Sequence, residues 1–164
     1  MPSRGFRFSP VVFDDLHFEQ RPYDPFAAYG QPKTANALFP VELDRRGRAD
    51  GVRAFAVHPG TIIDTGLAEH VTDDVIRAAG AVDEEGHPVR DPARLLNAVP
   101  QGAATSVWCA PGPRLDGLGG VYCENCDIGP LVVEEAAWRA GAETAGVLPY
   151  AVDPEAAARL WEVR

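Results

Sequence analysis

No stretch of this 164-residue chain approaches the roughly 20 apolar residues that a membrane-crossing helix needs, so no bilayer span is expected. Basic residues are scarce: 15 lysines and arginines stand against 24 acidic residues, a net charge of −9, with no polybasic segment. That balance disfavours nucleic acid, whose phosphates want a basic face. It also leaves nothing to hold an anionic membrane surface. The three cysteines are few and odd in number, which fits a reducing compartment better than a disulfide framework. The opening MPSRGFRFSP has no apolar stretch of the signal-peptide kind, so a cytoplasmic location is expected. Internal repeats and low-complexity tracts are missing too. What the chain does have is apolar content, 46% of its residues, enough for a real core and against wholesale disorder. Its length suits one domain or part of a larger one.

Residues 1–23 show no sustained period and read as an irregular lead-in. Asp24-Pro25 then supplies an N-cap and a proline at the first helical position, predicting a helix over 25–46. Ala35, Leu38, Phe39 and Leu43 mark its expected apolar face, with Glu42, Arg45 and Arg46 opposite and Gly47 as a left-handed cap. GVRAFAVHPG (51–60) is a short apolar run closed by Pro-Gly, as in a strand buried within a parallel sheet. A helix is expected over 66–79, a polar loop over 80–94 and a helix over 101–110. A turn into a strand over 117–125 and a capped helix over 153–164 complete the reading. The order is that of an α/β fold, with too few strands for a complete sheet.

Tyr29 and Lys33, four residues apart, would share one helix face and could form an acid–base pair. A free tyrosine titrates near roughly 10, and a cation a few ångströms away favours its phenolate. Spacing alone is weak evidence, because Tyr-x-x-x-Lys arises by chance in many helices. Pro32 and Pro40 add a conflict: each lacks the N–H of a helix interior and costs about 3 kcal/mol or more. A kink near residues 28–32 is expected from them.

YGQPKTANALF, VHPGTII, QGAATSVW and GGVYCENCD, in this order, resemble the C-terminal half of the short-chain dehydrogenase/reductase family. The likeness is to its retinol-dehydrogenase-like and WW-domain-oxidoreductase-like branch and runs from about residue 3 to the end. It implies an α/β fold: the C-terminal half of a Rossmann-type doubly wound parallel sheet, one partial domain over 1–164. It also implies hydride transfer between NAD or NADP and an alcohol or carbonyl substrate. Tyr29 matches the family's catalytic tyrosine, and Lys33 the lysine that tunes it and holds the nicotinamide ribose. Ser3 falls near the place of the catalytic serine, although by residues alone it reads equally as part of a frayed terminus. Pro59, Gly60 and Ile62 match the loop that lies against the nicotinamide carboxamide. Asp64 stands where the family often has a hydroxyl residue, with Thr65 one later. The resemblance implies a homodimer through the 25–46 helix as well.

The family's glycine-rich βαβ turn does not precede Tyr29, and GLGG (117–120) leads into a strand rather than out of one. The residue that separates NAD from NADP and the catalytic asparagine have no match either. An isolated chain of this kind is expected to be inactive or nearly so. The rival reading is a non-catalytic remnant or interaction module that uses the former dimer face, and Pro32 and Pro40 favour it. Cys123-x-x-Cys126 raises zinc or redox chemistry, but only Cys109 remains as a further thiol and the motif ends a strand rather than opening a helix. His58 before the Pro-Gly loop could touch a ligand, although a structural role is commoner for a strand-end histidine. His17, His70 and His87 show no ligand spacing, and Trp108 and Trp161 are expected in the core.

Overall fold

Helix α1, Pro25–Gly47, is the longest element of the computed structural model, which describes residues 2–66, 72–133, 135–136 and 145–163. Its start is the expected one: the Asp24 carboxylate accepts the Ala27 N–H at 2.6 Å, and Pro25 takes the first position, where no N–H is needed. Strand β1, Phe55–His58, pairs in parallel with β2, Val121–Glu124, and β2 turns antiparallel into β3, Asp127–Ile128. Further helices among the described residues are α2, Asp73–Ala78, α3, Val99–Cys109, and α4, Pro154–Trp161. The result is an α/β fold with a small mixed three-stranded sheet in the order β1-β2-β3, consistent with part of a Rossmann-like domain.

Strand alternation sorts the core into two sides. Ala56 and Tyr122 pack with Phe6, Ala37, Leu148 and Ala151 on the α1 side. Phe55, Val57, Val121 and Cys123 pack with Trp108, Cys109 and Leu115 on the α3 side. The lead-in is not wholly irregular, because Arg4–Phe8 is a 3₁₀ turn whose Phe6 is fully buried, edge-on to Tyr122 at 5.6 Å. The expected helix over 66–79 is Asp73–Ala78 where described, and 67–71, with His70, lie outside the described residues.

The faces of α1 differ from those expected. Leu38 is buried, but Phe39 is 50% exposed and stacks on Trp161 at 5.5 Å, so Trp161 lies at the surface rather than in the core. Glu42 is buried, not outward, and accepts two hydrogen bonds from Arg45 and one from Arg46. Those bonds, Arg45 first, hold its carboxyl down to about 2. Neighbouring arginines let a carboxylate occupy an apolar position, which an apolar/polar pattern cannot register. Nor is Gly47 the left-handed cap. It stays right-handed, and the reversal comes at Gly51 (φ 76°) after one more turn, Arg48–Asp50.

Helical geometry continues through both prolines, so Tyr29 and Lys33 lie on one unbroken helix. Pro32 is on the exposed side, where the Ala28 carbonyl it leaves unpaired can turn to water; Pro40 is buried. Because the helix is continuous, Pro32→Ala should stabilise the protein by up to about 3 kcal/mol, read from thermal or urea unfolding.

His58 ends β1, buried on the α1 side, its ring 6.4 Å from that of Tyr122. Neither ring nitrogen has a hydrogen-bond partner among the described residues. Burial, and then the Arg4 charge, press its pKa from 6.5 down to about 3. Between those values the unfolded chain binds a proton that the folded chain excludes, so stability is full above pH 6.5 and drains away towards pH 3. Its register partner Glu124 acts in the opposite sense, since burial raises its carboxyl above 4.5 and stability falls as that group ionises. From pH 7 to pH 5 the His58 contribution should remove about 2 kcal/mol, seen as a falling urea midpoint. His58→Phe should abolish or reverse that slope.

Candidate active site

Ser3 and Tyr29, 26 positions apart in sequence, meet at the N-terminal end of α1: Ser3 Oγ lies 3.4 Å from the Tyr29 hydroxyl. One turn along the helix, Lys33 Nζ sits 5.3 Å from the centre of the Tyr29 ring. Tyr29 is 41% exposed, so the pair opens to solvent. Ser3 also caps the 3₁₀ turn, accepting the Gly5 N–H at 3.1 Å, which fixes its side chain from below.

The approach of that turn to α1 is close enough to exclude side chains. A Cβ on Gly5 would fall 2.4 Å from Tyr29 Cε1, and one on Gly30 would fall 2.8 Å from the Ser9 nitrogen. Thr34 then ties the two segments, its hydroxyl donating to the Ser9 carbonyl at 2.7 Å. Tyr150, from the far end of the chain, donates its hydroxyl to the Phe6 carbonyl at 2.7 Å. Gly5, Gly30, Thr34 and Tyr150 thus position Ser3 against Tyr29. Sequence alone singles out none of them; Gly5, Gly30 and Thr34 lie within quoted stretches, and nothing local marks Tyr150.

The second expected group follows β1. Gly60 takes φ 83°, which favours glycine, and turns the chain sharply after Pro59. The Thr61 N–H donates to the Leu95 carbonyl at 2.6 Å, and Asn97 donates through Nδ2 to the Pro59 carbonyl at 2.9 Å. Ile62 is seated against α3, where a Cβ on Gly102 would come within 2.3 Å of Ile62 Cδ1. Asp64 makes an ion pair with Arg90 at 2.9 Å, and the Thr65 hydroxyl donates back to the Ile62 carbonyl. Arg4, next to Ser3 in sequence, also acts electrostatically on His58, next to Pro59.

The cysteine motif has a different character. Asn125 and Cys126, both at positive φ, are the two-residue loop of the β2–β3 hairpin. Burial pushes the Cys123 thiol up to about 12 and raises Cys109 as well, the reverse of what a thiolate nucleophile or metal ligand needs. Among the described residues no group of histidine, cysteine and acidic side chains is arranged to hold a metal ion.

Since Gly5 lies against the tyrosine ring, Gly5→Ala should cost about 1–3 kcal/mol by overpacking, measured by urea unfolding. It should also break the Ser3–Tyr29 contact, read from the environment of the tyrosine ring by NMR.

No family model matches the chain. A protein of Streptomyces lividans named "Probable oxidoreductase" is 46% identical over 94% of this chain and 49% of its own length. The short-chain dehydrogenase/reductase prx1 of Penicillium roqueforti is 33% identical over 98% of this chain and 43% of its own. Human retinol dehydrogenase 14 is 28% identical over 98% and 40%. Among solved structures, an uncharacterised protein of Mycobacterium paratuberculosis matches with a TM-score of 0.52 at 25% identity, covering 98% of this chain and 45% of the other. The chain spans about half the length of the curated relatives it matches. It is a homologue of the short-chain dehydrogenases/reductases over that half.

Proposed function

We propose that these residues form the hydride-transfer portion of an NAD(P)-dependent oxidoreductase acting on a small alcohol or carbonyl compound. The observation that carries the reading is Ser3 Oγ at 3.4 Å from the Tyr29 hydroxyl, with the Lys33 ammonium 5.3 Å from the centre of the same ring. Tyr29 gives a proton to the carbonyl oxygen, or takes one from the alcohol, while Ser3 holds the same oxygen. Lys33 holds the nicotinamide ribose. The Pro59–Gly60 turn, held in a left-handed bend that Asn97 and Leu95 pack too closely for a side chain, is a fixed feature at the end of β1 that fits the nicotinamide end of the cofactor; Pro59, Gly60 and Ile62 would line it. When bound there, the cofactor supplies or accepts the hydride.

We read the sheet as the C-terminal half of a doubly wound Rossmann-type sheet, with β1 and β2 its parallel strands, in a cytoplasmic protein. No helix among the described residues is long and apolar enough to cross a membrane. A second reading, an interaction module, draws on the exposed Phe39–Trp161 stack with Arg46 over the Trp161 ring at 5.0 Å. A homodimer through 25–46 would cover it, and Phe39→Glu should then give a monomer by sedimentation.

The 164 residues offer the dinucleotide mainly its nicotinamide end. Titration with NADH and NADPH, followed by nicotinamide fluorescence, should therefore give weak binding, with a Kd of about 1 mM or more. Saturable micromolar binding overturns that. In any form of the protein that turns over a carbonyl substrate, Tyr29→Phe should lower kcat about 10²–10⁴-fold. An unchanged rate removes Tyr29 from the chemistry.

A further inference from the structure

We infer that Asn97 is the positioning residue of the Pro59–Gly60–Thr61 turn and sets the affinity of this chain for the nicotinamide end of its cofactor. The inference rests on the reading of that turn as a cofactor site.

Asn97 precedes α3 and is 3% exposed. It grips the turn at two carbonyls: Nδ2 donates to Pro59 O at 2.9 Å, and the main-chain N–H donates to Thr61 O at 3.0 Å. Gly60 lies between those carbonyls, and a Cβ there would come within 2.4 Å of Asn97 Nδ2. The absence of a side chain at 60 and the amide at 97 are therefore one fitted pair. Asn97 is itself held, because Arg90 Nη1 donates to its carbonyl at 3.1 Å while Arg90 pairs with Asp64.

The other half of the amide makes no comparable contact. Asn97 Oδ1 is buried and has no hydrogen-bond partner among the described residues. A buried acceptor left unpaired is destabilising by itself. What the side chain contributes is thus the Nδ2 donor, spent on the turn that meets the nicotinamide. Without it the Pro59 carbonyl loses its partner, and the left-handed turn at Gly60 loses the side chain packed against it.

The probe is nicotinamide mononucleotide, which carries the nicotinamide and its ribose alone, added to isotope-labelled chain and followed by amide NMR shifts. Wild type should respond at Gly60 and Thr61. Asn97→Ala should bind at least tenfold more weakly. Asn97→Asp should bind like wild type while its carboxyl is protonated and can donate to Pro59 O, and lose affinity as the carboxylate forms. That pH profile, taken as a ratio to wild type, is a readout that a purely structural role would not produce, and it decides alone if Asn97→Ala does not fold. If wild type responds and both variants match it at every pH, Asn97 has no such role while the cofactor reading stands. If wild type gives no response at Gly60 and Thr61, the cofactor reading fails and the inference falls with it.

Discussion

The contact on which the rest depends is the near-backbone packing of helix α1 against the Arg4–Phe8 turn. Gly5 and Gly30 leave no room for a Cβ on either side, so the tyrosine ring lies directly on the turn that carries Ser3. Small residues at such a crossing do what knobs and holes do elsewhere, letting main chains approach until side chains from both meet at one point. Thr34 and Tyr150 then tie the turn's carbonyls to α1 and to the C-terminal segment. Phe6 continues the same contact inward, edge-on to Tyr122 on β2. Site and core are joined through one short turn.

That arrangement also explains how α1 accommodates its prolines. Pro32 lies on the opposite, exposed side of the helix from the turn, between Tyr29 and Lys33 in sequence but not between them and their contacts. The helix is held by its buried residues, Gly30, Thr34, Ala37 and Leu38, rather than by the hydrogen bond that Pro32 removes. The opening proline has the reverse effect, because Pro25 behind Asp24 costs no bond and fixes the entry angle. One residue type thus starts the helix and weakens its middle, according to where its ring falls.

Charge is treated in two ways inside this fold. Glu42 is buried with two arginines folded over it, so its charge is compensated within its own helix. His58 is buried with no such partner and remains neutral, while Tyr122 donates to Glu124 and the Gly146 N–H supports the same carboxyl. The first is an ion pair with solvent-facing arginines; the second places a neutral histidine and a hydrogen-bonded carboxyl at the carboxyl ends of β1 and β2. The strand ends where the Pro59–Gly60 turn begins therefore respond to pH, His58 and Glu124 in opposite senses.

Local chemistry let the sequence announce the start of α1 at Asp24-Pro25, the apolar run of β1, the helix before Cys109, the β2 strand and the terminal helix after Asp153, because caps, prolines and apolar runs act within a few residues. The motif order also singled out Tyr29, Lys33 and the Pro59–Gly60 turn as candidates, and its likeness to the short-chain dehydrogenases/reductases is matched by the relatives found. Tertiary structure alone decided the burial of Glu42, the exposure of Phe39 and Trp161 and the continuity of α1 through Pro32. It alone brought Ser3 to Tyr29 and Asn97 to Pro59, across 26 and 38 positions. The reason is physical: each of these depends on what a second segment leaves room for or donates to, and no periodicity within the first segment carries that information.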